Sequence, residues 1–182
     1  MEIKTVSSVQ TKKIAGLLAK EILNSHGRVR SVSLWEIFHR ETEAKRQRRV
    51  IRMPKNALVL ALTGDLGSGK TTFTQGFLRG LGIKNKITSP TFVIAKKYNL
   101  KTWNLKLKTQ KYERAWHFDC YRIRKPAELF SLGFKEILSD PRNIVLIEWP
   151  EVIKRVLPKN SIWIKFEHGE KENKRTINFH NG

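Results

Sequence analysis

The feature that most constrains the fold is a glycine-rich segment at residues 64–71. Its sequence, GDLGSGKT, fits the pattern G-x-x-x-x-G-K-[ST] of a Walker A phosphate loop. A continuous apolar run, ALVLAL at 57–62, precedes it and predicts a buried parallel strand. Apolar residues at helical spacing follow it and predict a helix that ends near Gly80 or Gly82. Strand, glycine-rich turn and helix in this order predict a binding site for a nucleotide triphosphate, whereas a chance match in a turn would lack these flanks.

The residue types in this loop suit phosphate chemistry. Glycines allow backbone N–H groups to turn toward phosphate oxygens, and the start of the following helix adds positive dipole at the same point. We expect Lys70 to reach the β- and γ-phosphates and the Thr71 hydroxyl to hold Mg²⁺.

Composition limits the class of protein and its partners. The chain has 182 residues with 40% apolar content, which is enough for one folded α/β domain. No apolar run approaches a membrane span, the N-terminus lacks a signal-peptide pattern, and the single cysteine excludes an internal disulfide, so we expect a cytoplasmic protein without a membrane partner. The net charge of +20 favours a nucleic acid partner, unless surface lysines raise the charge without a function.

Hydrophobic periodicity and turn residues predict a mixed order of strands and helices. A first helix is expected from Ser7 or Ser8 to about Asn24. Further strands are expected to start at 92–95 and to lie at about 113–118, 144–147, 161–167 and 174–179, with short helices after Pro126, up to Leu138, and from Pro150 to about Leu157. This order predicts a single α/β domain over residues 1–182. It would have a P-loop NTPase-like three-layer fold and a mixed, mainly parallel central sheet.

Two basic segments interrupt this pattern. Residues 28–55 contain nine Lys or Arg against three Glu, which predicts an inserted basic helix on the surface. A solvated helix with cations near its C-terminal end explains the same composition. Residues 96–111 are lysine-rich and predict a long hairpin. Both segments are candidate contacts for tRNA, for a protein partner, or for neither.

Two carboxylates are candidate site residues because each follows a predicted strand. Glu148 ends the apolar strand at 144–147, where a Walker B acid would help to hold Mg²⁺. Because the usual residue there is Asp, Glu148 could instead polarise water, and an ion pair with a surface lysine is the structural alternative. Asp119 lies in the segment HFDCYR and suggests a carboxylate that orients water or substrate, the alternative being an ion pair with Arg122 or Arg124.

Three other residues have weaker signals. Thr91 lies where P-loop enzymes often place a segment ordered by the γ-phosphate, and turn chemistry accounts for it equally well. We interpret His117 as a hydrogen-bonded core histidine and Cys120 as a small core residue rather than as catalysts. Trp149 follows Glu148 and either covers the site, faces a partner or belongs to the core.

Four motifs in series carry a family resemblance. They are GDLGSGKTT at 64–72, TSPTF at 88–92, HFDCYR at 117–122 and LIEWPE at 146–151. In this order they resemble the TsaE (YjeE) family, the small ATPase of bacterial tRNA threonylcarbamoyladenosine synthesis. The likeness spans about 1–25 and 56–180, so the basic segment at 28–55 departs from the pattern.

The resemblance implies ATP and Mg²⁺ as ligands and roles for individual residues. Lys70, Asp119 and Glu148 would serve ATP hydrolysis, and Thr71 and Glu148 would hold the metal. The nucleotide would be bound by residues of the loop, of the switch-like segment and of the first helix, namely Thr11, Asp65, Leu66, Gly67, Ser68, Gly69, Lys70, Thr71, Thr72 and Thr91.

The resemblance also implies partners. Such a protein would bind transferase subunits of the TsaD and TsaB type, and its ATP hydrolysis would reset that complex between turnovers. The sequence has no obvious arginine finger, so we expect intrinsic hydrolysis to be slow and dependent on partners. Two other classes share the phosphate loop. A small-molecule or nucleoside kinase would need an acceptor pocket, and a nucleotide-gated RNA-binding protein would use the +20 charge directly.

Overall fold

The computed structural model describes residues 2–24, 55–100, 112–171 and 173–181. Within these ranges the chain forms seven strands, which are β1 (Glu2–Thr5), β2 (Leu58–Thr63), β3 (Ala95–Asn99), β4 (Arg114–Asp119), β5 (Asn143–Glu148), β6 (Ile162–His168) and β7 (Arg175–Asn181). They form one sheet in the order β1-β7-β6-β2-β5-β4-β3. The strand that precedes the phosphate loop, β2, is therefore central.

Strand direction divides the sheet into a parallel centre and antiparallel margins. Strands β6, β2, β5 and β4 pair in parallel, while β3, β7 and β1 add antiparallel pairings at the two sides. Every residue of β5 is buried, as expected for a parallel strand covered on both faces. The predicted α/β class with a mixed sheet is confirmed, and the parallel pairing is confined to the four central strands.

Helices cover both faces of the sheet. On one face lie α1 (Ser8–Asn24) and α2 (Lys70–Gly80), whose apolar side chains share one core cluster with β2 and β5. On the other face lie α3 (Ala127–Phe130), α4 (Phe134–Ser139) and a 3₁₀ helix (Pro150–Val156), which share a second cluster with β4 and β5. The result is the three-layer arrangement expected from the sequence.

Glycines set the distance between α1 and α2. A Cβ atom on Gly76 would lie 2.4 Å from the Lys12 carbonyl oxygen, and one on Gly80 would lie 2.5 Å from the Gly16 carbonyl oxygen. Both distances are shorter than van der Waals contact, so these positions of α2 require glycine. The close crossing fixes α2, and with it the phosphate loop at its start, against α1.

Most predicted elements begin within about two residues of their expected positions, with three differences. The strand expected at 92–95 begins only at Ala95, because residues 91–93 form a turn and Ile94 has a φ of 62°. Strand β1 was not predicted. The helix expected from Pro150 is a 3₁₀ helix.

Two predicted features lie largely outside the described residues. The basic insertion at 28–55 is described only at its last residue, Lys55, and the hairpin at 96–111 only over residues 96–100. Within the described part of the chain, no helix combines the length and the hydrophobicity that a membrane crossing requires.

Candidate functional site

The carboxyl ends of three central strands place the site. Asp119 ends β4 and is the register partner of Glu148, which ends β5, and Leu62 near the end of β2 pairs with Glu148 from the other side. The phosphate loop leaves β2 at the same edge. Parallel strands that end together form the crevice in which α/β proteins bind ligands.

The loop between β2 and α2 needs glycine for steric reasons. Gly64 has a φ of 129°, and a Cβ there would lie 2.2 Å from the carbonyl oxygen of Phe166. Gly69 has a φ of 106° and directly precedes the first residue of α2. The loop therefore turns tightly into a helix N-terminus, whose unpaired N–H groups favour an anion.

Lys70 is held by groups of its own chain. Its Nζ donates hydrogen bonds to the carbonyl oxygens of Gly64 at 2.5 Å and Asp65 at 2.8 Å, and it lies 3.8 Å from the ring centroid of Trp149. Burial lowers the pKa of Lys70 below its ordinary value, while the nearby carboxylates of Glu148 and other acids raise it. Lys70 thus places its side-chain nitrogen inside the loop, between backbone carbonyl oxygens and the ring of Trp149.

Trp149 lies directly after β5 and lines the cleft. Its φ is 58°, which is a left-handed conformation that is uncommon for a bulky residue, and its N–H donates to the carbonyl oxygen of Leu62 at 3.2 Å. Its ring contacts Lys70 and also the ring of Tyr121, at 5.1 Å between centroids. The side chain lines the cleft and also packs against the second core cluster, so the structure does not separate the site interpretation from the core interpretation.

A chain of three side chains connects the start of α2 to β4. The Thr71 hydroxyl donates to Oε2 of Glu148 at 2.7 Å, and Oε1 of the same carboxylate accepts a 2.8 Å hydrogen bond from Nε2 of His117. His117 is fully buried and Glu148 is 2% exposed. The interpretation of His117 as a hydrogen-bonded core residue is confirmed, and its partner is Glu148.

The carboxylate of Asp119 holds residues 89–91, which follow α2, by hydrogen bonds. Its Oδ2 accepts hydrogen bonds from the hydroxyls of Ser89 at 2.7 Å and Thr91 at 2.5 Å, and its Oδ1 accepts one from the backbone N–H of Tyr121 at 3.1 Å. The Ser89 and Thr91 hydroxyls also contact each other at 2.7 Å. The carboxylate thus ties the 89–91 segment to the end of β4, instead of pairing with Arg122, which lies over the ring of Phe92.

These groups surround a cleft of about 320 Å³. That volume is within the usual range for small-molecule sites. The lining residues come from the phosphate loop, the 89–91 segment and the ends of β4 and β5, and they are Leu66, Gly67, Gly69, Lys70, Thr71, Thr72, Ser89, Thr91, Asp119, Tyr121, Glu148 and Trp149. Nine of the predicted site residues are therefore brought together.

Three predicted ligand residues are not part of this lining. Asp65 and Ser68 belong to the loop but are not among the residues that line the cleft. Thr11 lies near the start of α1, and its hydroxyl contacts Thr5 Oγ1 at 2.9 Å and donates to the Ser7 carbonyl oxygen at 3.2 Å. A contact between Thr11 and a nucleotide base stays a prediction.

The donor set suits one metal in particular. The described residues contain no group of three or more His, Cys, Asp or Glu side chains that could hold a metal alone. Thr71 and Glu148 instead supply one hydroxyl and one carboxylate, both already directed at each other. Mg²⁺ prefers few protein oxygens together with phosphate oxygens and water, so these two residues fit Mg²⁺ that enters with a nucleotide.

The amino-acid sequence of this chain matches the model of a known protein family. The family model for "Threonylcarbamoyl adenosine biosynthesis protein TsaE" matches residues 38–177. This chain belongs to the TsaE family. The match includes the phosphate loop and both strand-end carboxylates, and it begins inside the basic segment.

Individual relatives agree with the family match. The protein named tRNA threonylcarbamoyladenosine biosynthesis protein TsaE is 37% identical in Rickettsia felis, over 76% of this chain and 75% of that protein. The protein of the same name is 38% identical in Bacillus subtilis, over 66% of this chain and 68% of that protein. In Haemophilus influenzae it is 33% identical, but the match spans 63% of this chain and only 65% of the relative, slightly less than two thirds of its length.

A solved structure shares the fold. The crystal structure of Bacillus subtilis YdiB aligns with a TM-score of 0.62 and 27% sequence identity, covering 100% of this chain and 86% of that chain. The expected fold class is thus supported by topology and by a solved structure.

Sequence reasoning missed part of the cleft. Ser89 and Tyr121 were not predicted as site residues, although both line it. The signal for Ser89 was present, because it precedes Thr91 by two residues and can share the same carboxylate. Tyr121 had a weaker signal, the two-residue alternation that continues from His117 through Asp119.

Proposed function

We propose that this chain is a P-loop ATPase that binds Mg·ATP and converts ATP and water to ADP and phosphate. The observation that carries the proposal is the convergence of Lys70, Thr71 and Glu148 at a glycine-lined helix N-terminus. Each is the residue type that phosphoryl transfer needs for charge stabilisation at the position where it would act.

Binding requires Lys70 to exchange partners. In the structure its ammonium group is paired with two loop carbonyl oxygens and an aromatic ring, and phosphate oxygens would compete with the carbonyls as stronger, charged acceptors. Thr71 and Glu148 would hold the Mg²⁺, which neutralises developing phosphate charge when bound. The loop N–H groups and the α2 dipole would orient the phosphate chain.

Hydrolysis would depend on Asp119 through the segment that it orders. Both of its oxygens accept hydrogen bonds from the chain, so we propose that it positions Thr91 and Ser89 beside the phosphates and orients water together with them. In the described part of the chain, no arginine is among the residues that line the cleft, and Arg175, which lies beside the phosphate loop, donates to the carbonyl oxygen of Gly67 at 3.2 Å. Because arginine often supplies transition-state charge stabilisation in this chemistry, we propose slow hydrolysis unless a partner is bound.

The family gives the proposal its biological setting. We propose that ATP hydrolysis resets a threonylcarbamoyltransferase with subunits of the TsaD and TsaB type during tRNA threonylcarbamoyladenosine synthesis, in the cytoplasm. The names of the relatives refer to this biosynthesis, which supports the proposal.

The experiment compares ATP hydrolysis by the purified chain alone and with such transferase subunits. We expect slow release of phosphate alone and faster release in the complex. Lys70→Ala should abolish the stimulated rate, and Lys13→Ala, which removes the same charge from an exposed position of α1, should not. A rate that is full without partners, or equal in the two variants, would contradict the proposal. Phosphate transfer to a nucleoside would favour a kinase instead.

Direct tRNA contact is a second candidate function, favoured by the net charge of +20. Binding through several phosphates would weaken steeply as salt increases. Deleting residues 28–55 should then reduce tRNA affinity and leave ATP binding intact. Flat salt dependence or an unchanged tRNA affinity would refute this contact.

A further inference from the structure

His117 contacts the proposed metal ligand, Glu148, within the protein interior. Its Nε2 lies 2.8 Å from Oε1 of Glu148, and neither side chain reaches solvent to a significant extent. Because a carboxylate oxygen can only accept, Nε2 must carry the proton and donate it to this hydrogen bond. His117 does not line the cleft, so it would act through Glu148.

The two oxygens of Glu148 have different partners. Oε1 is held by His117 and Oε2 by the Thr71 hydroxyl, at 2.8 and 2.7 Å. Two hydrogen bonds in different directions fix the rotation of the carboxylate group. The oxygen that remains directed at the start of α2 is Oε2, on the side of the phosphate loop.

The other ring nitrogen of His117, Nδ1, adds a free-energy cost that a purely structural role for this residue would not explain. Within the described residues, Nδ1 is buried and has no hydrogen-bond partner. A buried polar atom without a partner costs free energy that an apolar side chain of similar size would avoid. The histidine is therefore better explained by the hydrogen bond that it gives than by core packing.

We propose that His117 is a positioning residue for Mg²⁺ binding, because its Nε2–H fixes Glu148 with Oε2 facing Thr71. The proposal rests on the Mg·ATP function proposed above. Partners that orient a metal ligand in this way affect metal affinity by about 10- to 100-fold when they are removed. The effect should therefore be on the metal and not on the nucleotide itself.

The test uses variants that keep or remove the donor. His117→Gln can place an amide N–H near the position of Nε2, while His117→Leu and His117→Met have no donor. Phe118→Leu is the matched control, since Phe118 is the neighbouring residue of β4, is fully buried, and packs against Phe134 in the other core cluster. Thermal unfolding of each variant shows whether it is folded, and the second donor-free variant replaces the first if that one does not fold.

The readout is calorimetric binding of a non-hydrolysable ATP analogue to the full chain, titrated with Mg²⁺ and repeated in EDTA. We expect the half-saturating Mg²⁺ concentration to rise about tenfold or more in the donor-free variants. It should stay within about threefold of wild type in His117→Gln and in Phe118→Leu, with analogue affinity in EDTA unchanged throughout.

The possible results distinguish failure of the proposed role of His117 from failure of the proposed function. A wild-type Mg²⁺ dependence in the donor-free variants would overturn the proposal, and so would an equal loss in His117→Gln and His117→Leu. If the wild-type chain binds the analogue without any Mg²⁺ dependence, the proposed function itself fails, which is a different result from either of these.

Discussion

Replacing Glu148 by glutamine separates the hydrogen bonds of this side chain from its charge. Glutamine can accept from His117 with its oxygen and donate to Thr71 with its amide nitrogen, so both contacts of the carboxylate can persist. Alanine removes both. It leaves the buried Nε2–H of His117 without an acceptor, at about 1–3 kcal/mol, and loses the Thr71 hydrogen bond, at about 0.5–1.5 kcal/mol.

These values predict different stabilities for the Glu148→Ala and Glu148→Gln variants. Glu148→Ala should lower the free energy of unfolding by about 1.5–4.5 kcal/mol, which corresponds to a Tm decrease of about 3 to 18 °C for a domain of this size. Glu148→Gln should change Tm by less than about 3 °C. Its Mg²⁺ requirement should nevertheless rise about tenfold or more, because affinity for Mg²⁺ depends on the charge of its oxygen ligands.

The assay is thermal unfolding without nucleotide, followed by Mg²⁺ titration of ATP-analogue binding. The expected result is a stable Glu148→Gln variant with a defective Mg²⁺ response. A Glu148→Gln variant as unstable as Glu148→Ala would show that the paired hydrogen bonds do not account for the arrangement. A normal Mg²⁺ response in Glu148→Gln would refute the metal-binding role.

Three further predictions concern the packing of α1 against α2, the thiol of Cys120 and the contact between Lys70 and Trp149. Gly76→Ala should destabilise the protein by about 1–3 kcal/mol in denaturant unfolding, because its Cβ would overlap the backbone of the facing helix α1. Gly16→Ala should destabilise it much less, because the nearest contact of a Cβ there is at 3.3 Å. Equal effects of the two substitutions would contradict the packing argument. Burial raises the pKa of Cys120 to about 12. The native thiol should therefore not react with a thiol reagent at pH 8, and it should react once the protein is unfolded. Rapid labelling of the native protein would contradict this prediction. Mg·ATP should change tryptophan emission by drawing Lys70 from the ring of Trp149, and Trp149→Phe should remove that change; an unaltered response in this variant would exclude the exchange of partners.

The parts of the fold that the sequence predicts well are those with local signals. The apolar run before Gly64 and the spacing after Lys70 predict β2 and α2 within one or two residues. Strand β5 and its terminal Glu148 were predicted for the same reason, since a continuous apolar run needs cover on both faces. The site follows from them, because these strands end at one edge.

The parts that were missed depend on tertiary contacts. Strand β1 has four residues and forms only by pairing with β7, which is distant in sequence. Ile94 is β-branched and favours a strand, yet it takes a φ of 62° while its carbonyl oxygen accepts from the backbone N–H of Asp119. The pairing of His117 with Glu148 likewise joins two strands 31 residues apart, which no local pattern predicts.

The most direct test of the account is calorimetric titration of Mg·ATP into the wild-type chain, Lys70→Ala and the surface control Lys13→Ala. We predict saturable binding to the wild type and to Lys13→Ala. For Lys70→Ala we predict affinity lower by about 10- to 150-fold, the equivalent of losing charge-assisted hydrogen bonds of about 1.5–3 kcal/mol. No binding to the wild-type chain, or equal affinity for Lys70→Ala, would contradict the claim that this loop is an ATP site.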